Sequence, residues 1–149
     1  QGLNFRQQII YNSRKMIIIN DSKSTNFSST KPLLESFENI YWILGGLSKK
    51  GDKLKLNKKF FGNIRAFIYG KDKKFFSRVL DKKIKYKISR NLNESLLLIY
   101  NNIKKNISGK KAILFSPSAA SFDQFRNFED RGKYFNKIIK KYIEKYRTI

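Results

Sequence analysis

Short apolar runs in this chain alternate with stretches of helical spacing, and that order limits the folds open to it. The runs are RKMIIIN at 14–20, IYWIL at 40–44, IRAFIY at 64–69, IKYKI at 84–88 and AILF at 112–115. Each is short, rich in β-branched or aromatic residues, and bounded by turn formers, which is how buried strands read; 84–88 alternates and fits a half-exposed one. Between them lie segments with apolar residues three and four apart. One starts at Ser28 or Ser29 as cap and runs through Leu33, Leu34 and Phe37. Others span 72–80, 91–107 (Leu92, Leu96, Ile99 and Ile103 on one face) and 128–146. Strand followed by helix, about five times over, predicts a three-layer α/β domain. Its sheet is mostly parallel, of about five or six strands, with helices on both faces. In such sheets ligands meet the loops after the strands, here 21–26, 45–52, 70–72 and 116–128.

The 149 residues suit one domain. The chain has neither Cys nor His. That excludes disulfides, thiol catalysis, Cys-ligated zinc and the commonest general base. The formal charge of +22 has two readings. One is a polyanion partner. The other is composition: 25 Lys against 8 Arg, 19 Ile, 14 Asn and only 4 Ala is the usage of an AT-rich genome. The scatter of the basic residues along the chain favours the second. No stretch approaches the ~20 apolar residues of a spanning helix, and no secretory signal pattern opens the chain. The expectation is a soluble, cytoplasmic protein with neither membrane nor nucleic-acid partner. The first residue is Gln rather than Met, which reads as a piece of something longer.

Three loops carry candidate chemistry. Asp21, Lys23 and Thr25 alternate after the first strand, as an ordinary polar loop or as groups for a ribose and a phosphate. Gly45-Gly46 permits close backbone approach, with Lys49 on the loop beyond; Lys49 also reads as a solvated surface residue. The run SPSAASFDQFRNFEDRG at 116–132 puts small residues after a strand and then interleaves Phe122, Phe125 and Phe128 with polar side chains. Small residues leave room for a ligand, and free N–H groups at a helix start attract anions. The three-residue spacing of the phenylalanines equally suits core. No GxxxxGK[ST] phosphate loop occurs.

Taken together, NDSKSTN at 20–26, ILGG with Lys49 at 43–49 and the 116–132 block resemble the C-terminal domain of the Mur ligases. The SFDQFxNF core resembles the D-glutamate-adding members most. GLNFR at 2–6 is similar to the family's junction between central and C-terminal domains, with Phe5 in place of a common His and Arg6 retained. The resemblance covers essentially the whole chain and implies a Rossmann-like domain at 13–149. Residues 1–12 would end a linker from a central ATPase domain that carries the phosphate loop and the magnesium ligands. It implies ATP and Mg2+ as cofactors, with no metal ligand in this chain. The implied substrates are ATP, UDP-N-acetylmuramoyl-L-alanine and D-glutamate, handled through an acyl phosphate. The implied partners are the chain's own N-terminal and central domains, in a monomer.

Residue by residue, the resemblance makes Lys23 the catalytic cation near the transferred phosphoryl group, with Arg6 and Asp21 on the nucleotide. Thr25, Lys49, Ser121 and the backbone at Phe122 would hold the D-glutamate carboxylates, and Phe128 would pack on its aliphatic part. Asn26, Asp123, Gln124 and Asn127 would support these. Leu47-Ser48 departs from the family pattern after the double glycine and leaves Lys50 as a competitor for Lys49. Another Mur or folylpolyglutamate-type ligase domain is the nearest alternative, and a basic nucleic-acid module the most distant one.

Overall fold

The computed structural model describes residues 4–149, so Gly2 and Leu3 of the junction lie outside the described residues. Its elements are β1 (Gln8–Asn12), β2 (Met16–Asn20), α1 (Phe27–Leu34), β3 (Ile40–Gly45), a 3-10 helix (Lys58–Asn63), β4 (Ile64–Tyr69), α2 (Lys73–Leu80), β5 (Lys85–Ile88), α3 (Leu92–Lys105), β6 (Lys111–Phe115) and α4 (Phe128–Tyr146). They build one six-stranded sheet in the order β1-β2-β6-β3-β4-β5. Every pairing is parallel except β1 with β2.

The runs read from sequence are the strands of this sheet, and their residue parity sorts the core. Ile17, Ile19, Trp42, Leu44, Ala66, Ile68 and Leu114 face α1 and α2, where Phe27, Leu34 and Phe76 close the layer. Met16, Ile18, Tyr41, Ile43, Phe67, Tyr69 and Phe115 face α3 and α4, where Leu96, Ile99, Phe135 and Ile139 close the other. Strands β2, β3 and β6 are buried along their whole length. That explains their continuous apolar character, since a parallel strand covered on both faces has no polar side to show.

Three details differ from the sequence reading. The sequence reads 8–12 as the end of a linker, yet these residues pair antiparallel with β2 through a bulge between Ile9 and Tyr11. The first helix starts earlier than Ser28 or Ser29: Asn26 is its cap, accepting from the Ser29 N–H at 2.9 Å, and the helix stops at Leu34, short of Phe37. Asx and Ser side chains compete for the same cap, and extended backbone at Asn26 decides it. Finally, Phe122, Phe125 and Phe128 are not a core stripe, because Phe122 is 69% exposed and the other two are half-buried.

Candidate functional site

The parallel order brings the loops after β2, β3, β4 and β6 to one edge of the sheet, and side chains then tie them together. Segment 5–7 lies along the loop after β2: Lys23 N–H donates to the Phe5 carbonyl at 2.8 Å, and Gln7 N–H to Asp21 Oδ1 at 3.0 Å. Phe5 and Gln7 both hold left-handed φ, at 62° and 47°. The Phe5 ring packs where a Cβ on Gly132 would otherwise sit. This fixes exposed Arg6 beside Asp21, whose carboxyl feels its charge. Arg6, Asp21 and Lys23 are thus brought together.

Asp21 itself is buried. Its second oxygen accepts from Ser116 Oγ at 2.6 Å, and Ser116 Oγ meets Thr30 Oγ1, which also contacts Ser118 Oγ and Ser24 Oγ, all at 2.6–2.7 Å. Burial raises the Asp21 carboxyl above its ordinary value. The Ser116 and Gln7 hydrogen bonds, and then the charges of Arg6 and Arg131, pull it partway back. In this arrangement Asp21 orders the loop that carries Lys23 and offers no free oxygen to solvent.

Lys23 Nζ lies over the Phe128 ring, 4.9 Å from its centroid. Phe128 is the first residue of α4, whose cap Asn127 accepts from Asp130 N–H at 2.8 Å. The candidate catalytic cation and the candidate packing ring are therefore one unit.

The loop after β3 joins through backbone. Leu47 and Ala120 exchange two hydrogen bonds of 3.0 Å, setting the approach to Lys49 against the approach to Ser121. Gly45 has φ 132°, and a Cβ there would overlap the Tyr69 carbonyl, so glycine is what lets β3 and β4 turn out side by side. Asp72 Oδ2 accepts from both Ser48 N–H (2.8 Å) and Ser48 Oγ (2.9 Å), which holds the Asp72 carboxyl below its ordinary value. Asp123 accepts from Lys71 N–H and Asp52 from Phe27 N–H. The last bond fastens the loop beyond Lys49 to the start of α1, next to Thr25. Lys49, Lys50 and Thr25 are exposed, while Ser121 is buried and, among the described residues, its hydroxyl makes no hydrogen bond.

Sequence reasoning did not single out the residue that binds this edge most firmly. Arg131 is 1% exposed. Its guanidinium donates to Ser22 Oγ (3.0 Å), Ser22 O (2.5 Å), Ala119 O (2.8 Å) and Ser24 O (3.5 Å). It clamps the Lys23 loop to the Ser121 loop. Its only signal in the sequence was its place in the 116–132 block. The larger cavities lie elsewhere: about 520 Å3 between α1 and residues 51–55, and about 530 Å3 at the opposite edge. The candidate residues instead form an open face. Among the described residues no three acidic side chains gather as a metal site.

No family model matches the chain. It is similar to the UDP-N-acetylmuramoylalanine–D-glutamate ligases of several bacteria. That of Wolbachia sp. subsp. Brugia malayi is 37% identical over 94% of this chain and 28% of the relative. That of Wolbachia pipientis wMel is 39% identical over 90% and 26%, and that of Rickettsia felis 35% over 97% and 32%. The chain thus spans between a quarter and a third of the length of these relatives. By the region it matches, it belongs to the Mur ligase family, in the C-terminal portion of the D-glutamate-adding members.

Proposed function

We propose that this chain is the amino-acid-binding part of an ATP-dependent ligase that adds D-glutamate to UDP-N-acetylmuramoyl-L-alanine in peptidoglycan synthesis, in the cytoplasm. The observation that carries the reading is the Lys23–Phe128 unit on an edge where Arg6, Thr25, Lys49 and Ser121 also gather. In the proposed reaction the γ-phosphoryl of ATP passes to the substrate carboxylate, giving ADP and an acyl phosphate. The D-glutamate amine attacks the acyl carbon, and the tetrahedral adduct expels phosphate. Negative charge builds on the phosphoryl oxygens and then on that adduct. A fixed cation there stabilises the transition state more than the ground state.

Lys23 suits this role because its ammonium is already oriented over Phe128 by backbone bonds on either side of it. Arg6 and Asp21 serve the nucleotide, Arg6 by contact and Asp21 by holding the segments that carry Arg6 and Lys23. Lys49 and Ser121, with Thr25 and the backbone at Phe122, supply donors for a dicarboxylate. Phe128 gives apolar surface for the methylenes between. Magnesium ligands belong to the portion of the relatives that this chain does not match. An open face of this kind is what a second domain closes over. Residues 1–12 would lead in from that domain, with 8–12 already paired into the sheet.

The test uses the full-length protein, following phosphate release with ATP, magnesium and UDP-N-acetylmuramoyl-L-alanine. D-glutamate, L-glutamate, L-lysine and meso-diaminopimelate are added in turn. Release with D-glutamate alone is expected; release with another amino acid overturns the specificity. Lys23→Ala should cut turnover by roughly two or more orders of magnitude with the fold intact. Lys49→Ala should chiefly raise the D-glutamate KM. If Lys50→Ala raises it instead, the carboxylate contact shifts by one residue.

A further inference from the structure

The far edge of the sheet holds a second concentration of charge. A cavity of about 530 Å3 lies where β5 projects past α3, floored by β4 and β5 and closed by the turn at 81–84. Arg65, Lys82, Lys83, Lys85 and Lys87 line it, against one carboxylate, Asp81. Among the described residues none of these five cations has an acidic partner within ion-pair distance. The volume falls within the range of small-ligand sites, about 300–1,000 Å3.

Two further facts describe the crowding of positive charge here. Arg65 and Lys85 are direct cross-strand partners, and like charges so placed repel. On the other side of Arg65, Lys111 is buried at the start of β6; burial first, and then the Arg65 charge, push its ammonium below its ordinary value. Lysines on an edge strand are a common guard against strand addition, and that would account for Lys85 and Lys87. It does not account for Arg65, which stands on the inner strand β4, nor for Lys82 and Lys83, which stand in a turn. An anion seated among the five would offset the repulsion between them.

We propose that the cavity between β5 and α3, lined by Arg65, Lys82, Lys83, Lys85 and Lys87, binds a ligand carrying a short chain of phosphates. The convergence of the five on one concavity fits a small oligophosphate better than a long polymer, which would follow a stripe. Lys85 and Lys87 project from the same face of β5, two residues apart, and so can engage successive phosphates. The site lies at the end of the sheet opposite Lys23, so it does not depend on the ligase reading.

Calorimetric titration of the chain tests this with inorganic triphosphate, ATP, adenosine and a single-stranded 12-nucleotide DNA. Triphosphate and ATP should bind and adenosine should not. ATP binding tighter than triphosphate would identify a nucleotide as the source of the phosphates, and equal binding the free oligophosphate. Lys85→Gln/Lys87→Gln should weaken triphosphate by about tenfold or more, as two charge-assisted contacts are lost. Lys133→Gln/Lys137→Gln removes the same charge from exposed positions of α4 and should change it by less than about twofold. Equal losses in the two double variants would overturn the proposal in favour of net charge alone. So would tighter binding of the 12-mer, lost in the Lys85/Lys87 variant, since the site would then be a nucleic-acid surface.

Discussion

Replacing Arg131 with Met tests whether the candidate site is held by that one side chain. Methionine keeps an unbranched stem between Ser22 and Ala119, but it removes every side-chain donor. Ser22 O and Ala119 O then lose their guanidinium N–H groups, and among the described residues no other donor serves either carbonyl. Ser22 Oγ keeps its bond to Phe128 O at 2.7 Å, so it is only half orphaned. Two buried carbonyls without donors cost about 1–3 kcal/mol each. Against this, the variant no longer buries a cation that has no carboxylate in contact, which returns part of the sum. A net loss of about 2–4 kcal/mol follows, from a total that for such domains is about 5–15 kcal/mol. The chain supplies its own probe. Its one tryptophan, Trp42, is fully buried and donates from Nε1 to Ser116 O at 2.8 Å, within the clamped loop. Urea unfolding followed by Trp42 fluorescence should show the midpoint falling by about 1–2 M with little change in slope. Arg131→Lys should lose nearly as much, because a point charge cannot span both loops. A midpoint shift below about 0.3 M for Met would refute the clamp.

Other changes should read out separate parts of the same edge. Gly45→Ala forces a side chain onto φ 132° and into the Tyr69 carbonyl, and should cost about 3 kcal/mol or more, lowering Tm by roughly 6–12 °C; an unchanged melting curve would show that β3 and β4 can part there freely. Asn127→Ala removes the α4 cap beneath Phe128 and should cost about 0.5–2 kcal/mol in the same assay. The two aspartates should give opposite pH responses. The raised Asp21 carboxyl favours the folded state most below 3.8, and that contribution falls as pH rises from 3.8 through the folded value. Asp21→Asn should therefore gain on the parent as pH climbs through that window. The lowered Asp72 carboxyl contributes above 3.8 and loses its contribution as pH falls below it, so the deficit of Asp72→Asn should shrink toward acid. Parallel pH profiles for the two variants would contradict both assignments.

The strands were legible where burial on both faces left no choice of residue, as in MIIIN and IYWILG. They were not legible in QIIYN, an edge strand with half its side chains in solvent and only β2 to pair with. The loops that matter could be named, because a parallel sheet sends them all to one edge. Which side chains in them would reach a ligand and which would be consumed by the fold was a different matter. Asp21 and Lys23 are two residues apart and look alike as polar loop residues, yet one is buried among hydroxyls and the other stands over a ring. That difference is set by Ser116, Thr30 and Phe128, from 9 to 105 positions away in the chain.

The same contrast explains why the acidic residues are so few and so placed. Of 11 Asp and Glu, four aspartates sit at this edge, and each accepts hydrogen bonds that join one loop or element to another: Asp21 to segment 5–7 and the β6 loop, Asp52 to α1, Asp72 to the Ser48 turn, Asp123 to the β4 loop. Each takes at least one backbone N–H that no strand or helix would have used. Carboxylates used this way are tied to the loop backbone rather than ion-paired, and among the described residues Arg6, Lys23 and Lys49 have no acidic partner within ion-pair distance. On the proposed function, a surface that holds a dicarboxylate and a developing phosphate charge would need its anions turned inward as fasteners, and the aspartates in the loops at the carboxyl ends of these strands are placed in that way.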